Sequence, residues 1–123
     1  MKLIYLIIGG SAGTVARYLM SGVIHDWTGP AFPYGTLAVN TIGCFLIGFL
    51  SVFAGGQFVS HPNLKLIFAI GFCGAFTTFS AFILESSVLL KDGNVWHALG
   101  YIFMSLIVGF LAFGAGVLTG KAF

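Results

Sequence analysis

Charge is what this chain has least of. Of its 123 residues, five are Lys or Arg and three are Asp or Glu, so only 7% are charged. A soluble domain averages about 25%, and a surface this poor in charge would not stay in water. The basic residues Lys2, Arg17, Lys65, Lys91 and Lys121 are scattered and form no patch, which argues against nucleic-acid binding. Cysteine is scarce as well. Cys44 and Cys73 both fall within apolar runs, so each reads as a small packing residue rather than half of a disulfide or metal pair. No catalytic triad, metal cluster or phosphate loop can be assembled, and the chain does not read as an enzyme.

What fills the sequence is apolar: 59% of residues are hydrophobic, and there are 18 glycines, most of them inside the apolar runs. Glycine in a soluble helix costs about 1 kcal/mol, but in transmembrane helices small residues let backbones approach closely. Crossing the hydrocarbon takes about 20 helical residues. Four such spans can be drawn, at about Leu3 to Ile24, Thr36 to Phe58, Leu64 to Leu90 and Val95 to Leu118. Between them lie HDWTGPAFPYG, VSHPN and KDGN, which carry the Pro, Gly and polar residues of loops. Trp27, Tyr34 and Trp96 sit near span ends, where aromatic belts form. The N-terminal run does not read as a signal peptide, because it begins with a single Lys2, is too long and carries Arg17 inside. The expected architecture is an all-α membrane protein, a single domain of four transmembrane helices.

Orientation is weakly specified. Lys2, Lys65 and Lys121 lie on the side of the termini, against Lys91 on the other. The positive-inside rule favours cytoplasmic termini, but so small a bias is compatible with insertion both ways round. The small-residue pairs Gly9–Gly13 and Gly116–Gly120 would permit close contact between the helices of an antiparallel dimer.

Ionisable and polar groups inside spans are costly and mark candidate sites. Arg17 shares a face with Gly10 and Thr14 and is placed either to snorkel or to act in the membrane. Glu85 lies late in the third span, at the headgroups, a pore mouth or a subunit contact. In the second span Asn40 shares a face with Thr36 and Gly43. Its amide suits a helix–helix hydrogen bond or replacement of water around an anion. The third span holds GFCGAFTTFSAFILE, Gly71 to Glu85. Gly71, Gly74, Thr77, Thr78 and Ser80 give it poor helix propensity. A break near its middle would free carbonyls at mid-membrane depth, a ready cation site. Phe76, Phe79 and Phe82 recur at three-residue spacing, and their positive ring edges can face an anion. Tyr101 and Ser105 add hydroxyl donors one turn apart in the fourth span. The polar set is rich in neutral donors and poor in carboxylates, which favours anion handling.

GGSAGTVARY (Gly9 to Tyr18), YGTLAVNTIGCFLIG (Tyr34 to Gly48) and GFCGAFTTFSAFILE together resemble the small fluoride channels of the Fluc (CrcB) family. The resemblance implies passive export of cytoplasmic fluoride across the plasma membrane, relieving its toxicity. It also implies a dual-topology homodimer with two fluoride pathways and one structural sodium ion at its centre. Asn40, Phe79, Phe82, Tyr101 and Ser105 match the family's fluoride path, and the Gly74 and Thr77 carbonyls match its sodium ligands. Arg17, Thr78, Ser80 and Glu85 remain further candidates from their chemistry. Two rival readings differ in what they require. A small multidrug-type exporter needs a carboxylate in its first span, where this chain has only Arg17. A structural small subunit of a membrane complex needs neither Asn40 nor the hydroxyl cluster.

Overall fold

The computed structural model describes residues 2–123, and these form four long apolar helices: Lys2–Thr28, Tyr34–Phe53, Pro62–Lys91 and Val95–Ala122. At 1.5 Å per residue even the shortest, with 20 residues, spans about 30 Å of hydrocarbon. This is a multi-pass membrane protein. Between 6% and 22% of each helix's most apolar window is buried within the chain, so most of the apolar surface faces outward. A soluble fold could not leave Tyr18, Phe79 and Phe110 about three-quarters exposed, whereas lipid can cover them.

Local chemistry sets the helix ends. Gly29 (φ 79°) closes the first helix, its N–H donating to the His25 carbonyl at 2.8 Å, and Pro30 prevents continuation. Gly93 (φ 81°) does the same between the third and fourth helices. Pro62 opens the third helix at the position where its missing N–H costs nothing. The second helix ends at Phe53 rather than at the expected Phe58. Ala54 leaves helical geometry (φ −103°, ψ 9°), and a separate short helix, Gly55–Ser60, carries the chain to His61. The apolar run continues past Phe53, which is why hydropathy alone overshoots; the interruption falls at Ala54, just before the Gly55–Gly56 pair.

The helices pack as two close pairs, the first against the N-terminal half of the third and the second against the fourth. Glycines make both contacts. A Cβ at Gly9 or Gly13 would strike the Ile67 or Phe72 carbonyl, and one at Gly116 the Phe45 carbonyl. At Gly120 a Cβ would come 2.9 Å from the Phe49 carbonyl. The pairs Gly9–Gly13 and Gly116–Gly120 are therefore occupied inside one chain, which corrects their expected part in joining two subunits.

The third helix is irregular in two places. Lys65–Cys73 is wound as a π-helix, with wider turns than an α-helix. That winding brings the Leu66 carbonyl within 2.7 Å of where a Gly71 Cβ would stand, so the turn depends on glycine. Farther on, Thr77 (φ −87°, ψ 156°) and Thr78 (φ −147°, ψ 121°) are extended. Helical geometry resumes over Phe79–Lys91, where Thr78 is the N-cap and its Oγ1 accepts from the Ala81 N–H at 3.2 Å. The axis bends by only 9° across this point. The sequence suggested a helix broken near its middle; the interruption amounts to the dihedrals of two residues, in a span that otherwise stays joined and nearly straight.

Candidate functional site

Thr77 and Thr78 are held from the side by the second helix. The Thr78 N–H, which in a continuous helix would reach the Gly74 carbonyl, donates instead to Asn40 Oδ1 at 2.7 Å. Asn40 Nδ2 in turn donates to the Thr78 carbonyl at 3.0 Å. One side-chain amide thus satisfies both backbone groups of a non-helical residue at membrane depth, where unsatisfied groups cost several kcal/mol. The helix–helix hydrogen bond weighed for Asn40 is present, and it uses one of two Nδ2 protons, leaving a donor to spare. Thr77 Oγ1 donates to the Cys73 carbonyl at 3.0 Å. The Gly74 carbonyl loses its helical donor.

Beside this point lies a recess of about 410 Å³ lined by Asn40, Gly74, Thr77, Thr78, Phe79, Phe82 and Ser105, with no charged side chain on its wall. Most of the residues singled out in the sequence meet here. Ser105 Oγ is buried and has no hydrogen-bond partner. A buried hydroxyl without a partner costs about 1–3 kcal/mol, so it is a donor waiting for an acceptor. Phe79 and Phe82 pair with ring centroids 5.9 Å apart, Phe82 buried and Phe79 74% exposed. Phe76 does not continue their stripe. The extended residues at 77 and 78 break the helical register, and Phe76 stacks back on Phe72 at 5.6 Å.

The remaining candidates fall elsewhere. Tyr101 is fully buried and does not line the recess; its ring stands edge-on behind Phe82 at 5.1 Å. Its hydroxyl donates to Glu85 Oε2 at 3.0 Å, while Thr36 Oγ1 donates to Glu85 Oε1 at 2.6 Å. Glu85 is therefore neither a free headgroup carboxylate nor a bare charge, since each oxygen has a hydroxyl donor. Thr36 and Glu85 also border a second recess of about 540 Å³ near the first loop, with Tyr18, His25 and Asp26. Thr36, Glu85, Tyr101 and Phe82 are thus in contact one with the next, Thr36 and Glu85 on the lining of this recess and Phe82 on the lining of the first. Ser80 is exposed, with its Oγ 3.4 Å from Thr78 Oγ1. Arg17 lines neither recess; its Nε is buried without a partner. Sequence reasoning placed Thr36 on the Asn40 face but gave it no role; its signal was the i, i+4 spacing to Asn40. Cys44 and Cys73, read as packing residues, are free thiols bordering the same recess.

The family model described as CrcB-like protein, Camphor Resistance (CrcB) matches residues 4–117 of this chain. The chain belongs to the CrcB family. Relatives within it carry the name fluoride-specific ion channel FluC. One from Chlorobium chlorochromatii (strain CaD3) is 43% identical over 117 residues, covering 93% of this chain and 88% of that protein. One from Solidesulfovibrio magneticus is 40% identical over 120 residues, with 98% and 96% covered. One from Bacteroides fragilis is 42% identical over 125 residues, with 99% and 98% covered. At least 88% of each relative is covered, so this CrcB chain and its FluC relatives correspond over most of their length rather than through one motif. The name they bear is that of a channel, a class without catalytic chemistry.

Proposed function

We propose that this CrcB-family protein is a fluoride channel of the plasma membrane that lets cytoplasmic fluoride out passively and so limits its toxicity. The observation that carries the reading is the unpartnered Ser105 hydroxyl, buried in an uncharged recess beside Asn40 and the Phe79–Phe82 pair. A small anion leaving water needs donors in place of its hydration shell. Neutral donors and positive ring edges supply them without the deep trap that a fixed cation would create, and conduction requires that the ion also leave. The spare Nδ2 proton of Asn40, the Ser105 hydroxyl and the ring edges of Phe79 and Phe82 serve the ion in this recess, and Tyr101 lies behind Phe82. The names of the FluC relatives agree with this substrate. Efflux of fluoride from proteoliposomes, with chloride as control, tests the proposal; equal rates for the two ions, or none, would refute it.

The functional unit we propose is an antiparallel dimer. Gly74 is exposed and Phe79 largely so, which leaves the recess open on one side. Backbone that has lost its helical donor is tolerated in a membrane only against protein or water, and a second copy would supply that cover. The small lysine asymmetry allows both orientations. Single cysteines in the KDGN loop should then label from both sides of the membrane, and one-sided labelling would rule this topology out.

In the proposed dimer the Gly74 and Thr77 carbonyls would hold a sodium ion. Thr78 and Asn40 satisfy each other, so the Gly74 carbonyl stands without its helical donor, and the set consists of neutral oxygens. Four such oxygens from two subunits suit a small monovalent cation better than a divalent one, which demands charged ligands. When bound, the ion would tie the two third helices together and would not permeate. Replacing sodium by a large organic cation should weaken the dimer or the flux, and sodium should restore it.

A further inference from the structure

Gly43 differs from every other tightly packed glycine among the described residues. At Gly9, Gly13, Gly35, Gly48, Gly71, Gly116 and Gly120 the nearest obstacle to a Cβ is a backbone carbonyl. At Gly43 it is a side-chain methyl, Thr77 Cγ2, with Phe76 Cδ2 next at 3.4 Å. Gly43 lies one helical turn beyond Asn40 on the same face, and it is buried. The second helix therefore meets both extended residues of the third. Asn40 holds the backbone of Thr78, and the notch at Gly43 receives the methyl of Thr77.

We infer that Gly43 is a positioning residue for the conduction site: its missing side chain fixes the Thr77 rotamer and, through it, the direction of the Thr77 carbonyl. Thr77 is β-branched and stiff at χ1. Its hydroxyl is held by the Cys73 carbonyl and its methyl by the notch, so the side chain has one place to go. A methyl group added at position 43 must displace the Thr77 methyl. Thr77 then gives up its bond to Cys73 or shifts its backbone, and the recess changes shape with it.

The inference rests on the fluoride-channel reading for its assay, and the experiment separates the two. Four proteins are compared in liposomes after size-exclusion confirmation of assembly: wild type, Gly43→Ala, Gly43→Ala with Thr77→Ser, and Gly43→Ala with Thr77→Val. Serine lacks Cγ2 and keeps the hydroxyl; valine keeps the methyl bulk and lacks the hydroxyl. Gly43→Ala should lower fluoride flux several-fold, since the added methyl can be accommodated only by moving Thr77. The serine double variant should recover most of the flux and the valine one should not. Undiminished flux in Gly43→Ala, failure of serine to restore either assembly or flux, or equal rescue by valine would overturn the inference. A wild type that carries no fluoride would instead refute the channel reading.

Discussion

The recess beside Thr77 and Thr78 is lined by no charged side chain, whereas the one near the first loop is bordered by His25, Asp26 and Glu85. Tyr101, edge-on to Phe82 and bonded to Glu85, links the lining of one to the lining of the other. The difference shows how a thin protein places charge in a membrane. Where a carboxylate occurs within a span, hydroxyls from two other helices offset its cost; the recess beside Thr77 and Thr78 holds no fixed charge to offset. The loop recess also opens where water can screen its charges, and exposed charges farther apart than about 8–10 Å are largely screened at physiological salt.

Putting a charge into the uncharged recess should have the largest effect. Asn40→Asp keeps the shape but sets a carboxylate oxygen against the Thr78 carbonyl in place of the amide donor. Fluoride efflux from liposomes should fall to the background leak; wild-type rates in a correctly assembled protein would remove Asn40 from the proposed path. Next comes Phe79→Ile, which deletes a positive ring edge at a position 74% exposed within one subunit. Flux should drop about tenfold, the upper end of what an aromatic contact contributes, while thermal stability of the protein holds. Phe82→Ile is the less clean variant, because Phe82 is buried against Tyr101. Ser105→Ala removes the unpartnered donor and should cost flux about fivefold, the value of one ordinary hydrogen bond. Because it also relieves a buried unsatisfied group, the protein should melt no lower than wild type; a lower melting temperature would mean that the hydroxyl already has a partner. The smallest effect belongs to the charged recess. Asp26→Asn should leave flux within about twofold of wild type at physiological salt, and a larger change would show that the loop recess lies on the rate-limiting route.

Much of this was legible in the sequence for identifiable reasons. Hydropathy located the four helices because lipid demands long uninterrupted apolar runs. The face shared by Thr36, Asn40 and Gly43 was readable because helical spacing survives in any tertiary setting. Neighbours were another matter. Tyr101 and Ser105 do lie one turn apart, yet Tyr101 turns to Glu85 and Ser105 toward the recess, and spacing within one helix does not say which other helix it meets. The stripe Phe76–Phe79–Phe82 presumed an unbroken helix and failed where Thr77 and Thr78 are extended. The glycine pairs were rightly read as contact points, but their partners, backbone carbonyls of the same chain, had no signature in sequence.

The pairing of Asn40 with Thr78 has a consequence for the order of assembly. A carboxamide carries the same donor and acceptor as a peptide group, and with two reciprocal bonds Asn40 acts toward Thr78 as a one-residue strand. That strand arrives only when the second helix docks. A third segment alone in a bilayer has nothing else to offer the Thr78 N–H, so it should close up into an unbroken helix on the Gly74 carbonyl. The extended pair at Thr77 and Thr78 is then a product of tertiary assembly, written into the second helix rather than into the segment that displays it. An isolated Pro62–Lys91 peptide in lipid should show it by slow hydrogen exchange through every amide from Gly74 to Ala81.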